Sequence, residues 1–370
     1  MRRVAPTGLL LAFLSACAAP PPEVAELPGW AGDRHAAAIP PFLEGCRAVA
    51  RLPADRPLGG TGATALHPAA LSEACAEAAA LPPGDDGAAR LFLERRFRPH
   101  AMGEGLMTGY FEPELAGSPV PTPALRTPLL ARPPELVEVD LGLFDSTLTG
   151  RRVAGQVRDG RLRPFADRAA IMGGALAGRG LELVWVDPVD AFFLQIQGSG
   201  RIALPGQAPL RLGYAGQNGR PYVPVGRVLV ERGILPREAV SMQSIRGWMD
   251  AAGPDAAAEL MARNPSYVFF APREGLRPDQ GPPGTLGAPL TPGRSLAVDR
   301  AHVPLGIPVW VTTRDPVDGT PIRRLLMAQD TGGAIRGEAR GDLFFGWGAE
   351  AAERAGRMRE PATLHLLLPR

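Results

Sequence analysis

The sequence predicts a mainly β protein with flanking helices, and two observations carry that prediction. The 370 residues include 45 glycines and 41 prolines, a content that favours many short strands and turns over long helices. From Ser295 onward, short apolar runs follow one another between Gly, Pro and Asp, which is the pattern of a compact β-barrel. The length suggests two domains. A net charge of +2, with no Lys/Arg cluster or basic helix, gives no reason to expect a nucleic-acid partner. No CxxC or HExxH spacing occurs and the five histidines are scattered, so a metal is not expected.

Residues 1–17 read as a targeting segment, with Arg2-Arg3 ahead of a short apolar core and then Leu14-Ser15-Ala16-Cys17. The core is too short to cross a bilayer as a permanent helix. Leu-Ser-Ala-Cys resembles the bacterial lipobox, which would make an acylated Cys17 the mature N-terminus and residues 18–22 its tether. An ordinary signal peptide cut near Ala18 or Ala19 is the other reading. No later window approaches the roughly 18 apolar residues of a membrane span, so the remainder is expected to be soluble. In an oxidising compartment Cys46 and Cys75 could form a disulfide, and two buried thiols are the alternative. Closing a loop of about 30 residues would stabilise the fold by roughly 3–4 kcal/mol.

Residues 45–97 read as helical, with two Ala-rich segments broken at Pro82-Pro83-Gly84 and Asp85-Asp86 suited to the second helix's N-terminus. Near Gly105 the texture becomes strand-like. Residues 106–113, 181–186, 191–196 and 202–204 are expected as strands, with 197–200 and 213–219 as loops presenting polar groups among glycines. Helices are expected again at 225–232, 237–252 and 256–263, with Pro254 in the first turn of the last. Tyr110, Tyr214 and Tyr222 lie in Gly- or Pro-flanked segments. That suits an open groove where rings stack on sugar faces, although aromatics filling a sheet core would look the same. Ser199 lacks the GxSxG of a nucleophile elbow, and residues 332–337 lack the lysine of a phosphate-binding loop.

Residues 325–348, LLMAQDTGGAIRGEARGDLFFGWG, are where chemistry is most strongly expected. An apolar strand stops at Asp330-Thr331-Gly332-Gly333, and Gly341-Asp342-Leu343-Phe344 begins the next. Two acids thus fall at strand ends, expected on neighbouring strands at one lip of the barrel, beside glycines that permit close backbone approach. Flanked by Leu343 and Phe344, Asp342 is a candidate for desolvation, which raises a carboxyl pKa and keeps it available as a general acid. Like-charge repulsion from Asp330 would act in the same direction. Asp beside Gly is also an ordinary turn former, and spacing alone leaves both readings open.

Ala297-Val298-Asp299, Val303-Pro304-Leu305-Gly306, the run 328–335 and Gly341-Asp342-Leu343-Phe344 together resemble the 3D domain, named for three aspartates. Upstream, Thr108-Gly109-Tyr110-Phe111-Glu112-Pro113, Gln195-Ile196-Gln197-Gly198-Ser199-Gly200, the run 213–219, Ser241-Met242-Gln243-Ser244 and Asn264-Pro265-Ser266-Tyr267 resemble the insert domain of the membrane-bound lytic murein transglycosylase A family. The resemblance is collinear from about residue 100 to the end. It implies a double-psi β-barrel built from 18–112 and 274–370, with a second β-rich domain inserted at 113–273, after a signal peptide at 1–17. It further implies peptidoglycan as partner in the groove between domains, and an outer-membrane lipoprotein facing the periplasm of a Gram-negative bacterium. Matched residue by residue, Asp342 falls on the family's catalytic acid/base, Asp330 on its supporting aspartate and Asp299 on the first of the three. Where the family often has an aromatic before the catalytic Asp, this chain has Gly341. Thr108, Tyr110, Gln197, Ser199, Tyr214, Gln217 and Asp299 are expected to contact substrate. The implied reaction cleaves the β-1,4 bond between N-acetylmuramic acid and N-acetylglucosamine and closes a 1,6-anhydro ring, with no metal or cofactor. The alternatives are a hydrolase using Asp330 and Asp342 as a carboxylate pair, and a non-catalytic glycan-binding, wall-loosening module.

Overall fold

The computed structural model describes residues 23–148, 151–332 and 334–370. Cys17 and the targeting segment lie outside the described residues. Three helices come first: α1 (Ile39–Val49), α2 (Ser72–Ala79) and α3 (Asp86–Arg96). The start of α3 is fixed by Asp85, whose carboxylate accepts the Ala88 N–H at 2.9 Å and so satisfies a donor that the helix itself leaves open. A disulfide joins Cys46 in α1 to Cys75 in α2, with Cα atoms 5.7 Å apart.

Strand β1 (Phe97–Glu112) opens the barrel, and the chain then leaves it for an inserted domain. That domain carries β2 (Glu114–Ser118), β3 (Thr127–Leu130), β4 (Val137–Asp140), β5 (Arg152–Arg158), β6 (Arg161–Pro164), β7 (Glu182–Val186), β8 (Ser199–Ala203), β9 (Leu210–Gln217) and β10 (Val268–Pro272). Its helices are α4 (Arg168–Met172), α5 (Pro188–Gln197), α6 (Val225–Glu231), α7 (Met242–Ala252) and α8 (Pro254–Ala262). Six strands form one sheet in the order β10-β9-β8-β2-β7-β3, and β4-β5-β6 form a small second one. The chain returns to the barrel as β11 (Ser295–Val298), β12 (Pro308–Arg314), β13 (Pro321–Thr331) and β14 (Arg340–Trp347), then α9 (Gly348–Arg357) and β15 (Arg359–Pro369).

The barrel closes in the order β1-β14-β11-β13-β12-β15. Parallel pairs β1/β14 and β11/β13 are separated by antiparallel ones, the double-psi arrangement. Side chains alternate along each strand. Met107, Leu296, Val309, Leu326, Leu343 and Leu364 fill the interior. On the opposite faces of β12 and β13, Trp310, Leu325 and Met327 pack outward against Trp30, Phe42 and Phe92 of the helical layer.

Three local expectations are corrected. Residues 191–196 are not a strand but lie within α5. Asp187 caps this helix by accepting the N–H groups of Val189 and Asp190, Pro188 occupies its first turn, and Gly198 at φ +82° ends it. Ala191, Phe192, Phe193 and Leu194 are all buried, and a helix buried on several sides shows the same unbroken apolar run as an inner strand. Residues 213–217 are the second half of β9 rather than a loop. Ser199 likewise begins β8.

The N-terminal segment is fastened to the barrel by a buried ion pair. Asp33 accepts both terminal nitrogens of Arg294 at 2.8 Å and the Leu325 N–H at 2.8 Å. Burial alone would raise the Asp33 pKa, but the Arg294 hydrogen bond and charge, with the Leu325 N–H, outweigh it and hold the carboxyl below its usual range. A depressed folded pKa contributes stability that is present above the unfolded value of about 4 and lost as pH falls through the folded value. Asp33→Asn is therefore expected to lower the unfolding free energy at neutral pH by about 3–5 kcal/mol, the cost of leaving a buried charge unpaired. In urea titrations the gap between variant and wild type should narrow in acid. A gap independent of pH would refute the electrostatic origin.

Candidate active site

The site is set by strand register. Because β11 lies between β13 and β14, Ala297 pairs with Asp330 on one side and Asp342 on the other. Asp342 in turn pairs with Thr108 across β1/β14. Partners across a ladder share a face, and Leu296 and Leu343 point inward. Thr108, Asp342, Ala297 and Asp330 therefore stand in one row on the barrel's outer face. The two aspartates are at the same end of the barrel but not on adjacent strands as expected. One strand separates them, which puts their backbones about 10 Å apart.

Their surroundings differ. Asp342 is half-buried and accepts one side-chain hydrogen bond, from Thr108 Oγ1 at 2.7 Å. Burial raises its pKa. The Thr108 bond and the Arg340 charge oppose that rise, and the Asp330 charge adds only a smaller upward push. Asp330 is hydrogen-bonded at both oxygens. Oδ1 accepts from Thr285 N at 2.8 Å, Thr285 Oγ1 at 2.9 Å and Thr331 N at 2.8 Å, and Oδ2 accepts from the Tyr110 hydroxyl at 3.2 Å. Three donors crowd Oδ1, and Oδ2 keeps one accepting site beside the Tyr110 hydroxyl. Burial first, and then the Asp330 carboxylate, holds the Tyr110 hydroxyl well above its ordinary pKa, so it remains a neutral donor. Its ring lies 5.2 Å from that of Phe344.

A cleft of about 390 Å³ runs between this face and the inserted domain. The barrel contributes Tyr110, Asp330 and Phe344, and the insert contributes Gln197, Ser199 and Tyr214. Asp342 lies two residues before Phe344 on the same face of β14, about 7 Å along the strand. Of the other expected contacts, Gln217 is exposed at the end of β9 and pairs with Val268. Asp299 is engaged within the barrel. Its carboxylate accepts the Gly337 N–H at 2.8 Å and the Ala301 N–H at 3.1 Å, with Arg336 at 3.8 Å, and so pins the connection from β13 to β14. Among the described residues no group of three or more His, Cys, Asp or Glu is arranged to hold a metal ion.

Sequence reasoning missed the cluster beneath the cleft. Glu112, at the end of β1, accepts Arg201 Nε at 2.8 Å and the Arg211 guanidinium at 3.1–3.2 Å. Both arginines also donate to the Gln280 carbonyl, and Arg201 stacks 3.3 Å from the Trp347 ring centroid. All three charged residues are buried. Removing one member of such a cluster costs about 3–5 kcal/mol, because the remaining charge is left buried and unpaired, and the cluster joins barrel, insert and the segment returning from the insert. The available signal was a charge beside short apolar runs: Glu112 after Tyr110-Phe111, Arg201 before Ile202-Ala203, and Arg211 between Leu210 and Leu212.

The fold and site together define a double-psi barrel with an inserted domain, carrying a half-buried carboxyl beside an aromatic- and arginine-lined cleft. Residues 106–271 match the MltA specific insert domain and residues 294–368 the 3D domain. Membrane-bound lytic murein transglycosylase A of Vibrio cholerae is 37% identical over 201 residues, which are 52% of this chain and 53% of that protein. The chain thus spans about half the length of the curated relatives it matches. The crystal structure of MltA from Neisseria gonorrhoeae superposes with a TM-score of 0.79 at 32% identity, over 94% of this chain and 90% of that one. Escherichia coli MltA with bound chitohexaose superposes with a TM-score of 0.60 at 26% identity, over 90% of each. The chain belongs to the membrane-bound lytic murein transglycosylase A family.

Proposed function

We propose that this protein is a lytic transglycosylase that cleaves the β-1,4 bond between N-acetylmuramic acid and N-acetylglucosamine in peptidoglycan. One observation carries the mechanism: Asp342 has a raised pKa and accepts a single side-chain hydrogen bond, whereas Asp330 accepts four hydrogen bonds. Protonated Asp342 donates to the glycosidic oxygen as the bond to C1 breaks. The carboxylate so formed takes the proton of the muramic C6 hydroxyl, whose oxygen closes onto C1. The nucleophile is already part of the sugar, so proximity replaces an activated water or a protein nucleophile. A relative that binds chitohexaose, a β-1,4-linked amino-sugar chain, supports a glycan in this cleft. A retaining or inverting hydrolase needs a second free carboxylate about 5–9.5 Å from the first. The four hydrogen bonds at Asp330 argue against that role and suit it to holding Tyr110 and the residue 285 loop.

Asp342→Asn keeps shape but cannot carry the proton, so turnover on sacculi should fall by about 10²–10⁴-fold. Mass spectrometry of the wild-type digest should find 1,6-anhydromuramic ends. Products heavier by one water, with reducing ends, would restore the hydrolase reading. Thr108→Val offers a finer check. An acid that must be protonated loses activity as pH rises through its pKa. Removing the hydrogen bond that lowers that pKa should raise it further and shift the alkaline limb of kcat/KM to higher pH. A limb that stays in place would mean another group sets it.

The same reading extends to location. No helix among the described residues is long and apolar enough to cross a membrane, and the relatives are named membrane-bound. An acylated Cys17 holding the protein on the outer membrane, facing the periplasm, would reconcile the two. Cys17→Ser should then move the protein to the soluble fraction, and continued sedimentation with membranes would exclude acyl anchoring.

A further inference from the structure

A second cavity, of about 260 Å³, lies within the inserted domain, away from the barrel. Pro188, Ala191, Phe192 and Gln195 of α5 line it at a spacing of i, i+3, i+4 and i+7, a single helix face. Opposite stands Arg168, at the first turn of α4 and only 3% exposed. Its Nε and Nη2 donate to the carbonyls of Asn264 at 2.9 Å and Ser266 at 2.6 Å, and its guanidinium carbon lies 4.8 Å and 5.3 Å from the Phe192 and Tyr267 ring centroids. Burial lowers its pKa to about 10, which still leaves it cationic at neutral pH. Among the described residues no carboxylate pairs with it. Glu182 and Arg126 also line the cavity without pairing with it, so the lining carries a net positive charge.

Two features of the lining point to an anionic, hydrogen-bonding ligand. A buried cation without a counter-ion is expensive. Gln195, 5% exposed, has a buried Oε1 with no hydrogen-bond partner among the described residues. Burial pushes the Tyr267 hydroxyl up to about 12, against the lowering effect of Arg168 and Gln195, so it cannot serve as the missing anion. This lining suits a carboxylate beside an N–H donor, on a small apolar body that fits against Phe192, Leu130 and Met261. An acylated amino acid, the end of a peptide, has that chemistry.

We propose that this cavity binds the C-terminal carboxylate of a peptide, with Arg168 taking the carboxylate and Gln195 accepting the adjacent amide N–H. The inference rests on the peptidoglycan reading for its occupant, a peptide stem attached to the glycan. Helix α5 links the two sites, since its cavity-lining face runs from Pro188 to Gln195, and Gln197, two residues on, lines the cleft. Its ten residues span about 15 Å, a distance that roughly five extended residues cover. The inserted domain would thus read the stem while the barrel cleaves the strand.

The test is calorimetric titration of the full chain with acetyl-lysyl-D-alanyl-D-alanine and with its C-terminal amide. The acid should bind at least about tenfold more tightly, as charge-assisted recognition by Arg requires. Gln195→Leu should weaken binding. Ala177→Trp, at an exposed position on the cavity rim, should block entry without disturbing the core. Equal affinity for acid and amide, or undiminished binding by Ala177→Trp, would overturn the proposal. On peptide-free glycan Ala177→Trp should cleave at the wild-type rate, and on stem-bearing glycan more slowly. Equal rates on both would overturn the assignment to stems. If peptide binds but neither glycan is cleaved, the functional reading fails while the peptide site stands.

Discussion

Strand β1 must satisfy two neighbours of opposite direction, and the site depends on how it does so. Over Phe97–Thr108 it pairs antiparallel with β15, and from Leu106 onward it pairs parallel with β14. That double pairing closes the barrel and fixes the register of Thr108 against Asp342. Period-two alternation then sets Thr108, Tyr110 and Glu112 on one face. Each meets a different part of the site: Thr108 bonds Asp342, Tyr110 bonds Asp330, and Glu112 joins Arg201 and Arg211. The position between them leaves little choice of residue. A Cβ on Gly109 would come within 2.6 Å of the Phe345 ring and 2.9 Å of the Ala355 Cα, so α9 can pack this close only over glycine.

The same register explains why two chemically identical side chains acquire different surroundings. Asp342 stands mid-face, where backbone N–H groups are committed to ladders on both sides, and a single hydroxyl reaches it. With burial the leading influence, its neutral form is favoured. Asp330 sits one residue from the end of β13, where Thr331 N and the residue 285 loop are free to donate to it. Its preference for accepting hydrogen bonds is thereby met. The difference comes from position along a strand, and neighbouring charge adds a lesser contribution.

Much of this was readable in the chain. Short apolar runs after Ser295 signalled the barrel, and the acids beside glycines marked both aspartates. What could not be read has two physical causes. In α5 the run Ala191-Phe192-Phe193-Leu194 is buried on several sides, so hydrophobic periodicity carried no information about its type. In the Glu112 cluster the partners are 89 and 99 residues away, and nothing local to Glu112 announces a partner so distant. Asp299 shows a third limit. Its motif was visible, but only the fold reveals that its carboxylate holds Gly337 in place.

Gly341 can be understood on the same grounds. A large residue just before an acid can set the acid's position by packing, and this chain has none there. A Cβ at 341 would lie 3.0 Å from both the Leu296 Cδ1 and the Met107 Cε, so the position faces a filled barrel interior. With no side chain to locate it, β14 is held by its backbone: Gly341 pairs with Met107 on one side and Val298 on the other, and Asp342 with Thr108 and Ala297. Ladder pairing on both flanks leaves no room for a one-residue slip, because a slip would turn Asp342 into the core and Leu343 out to the cleft. Strand register therefore fixes Asp342 on the outer face, and the core supplies the energy that enforces it.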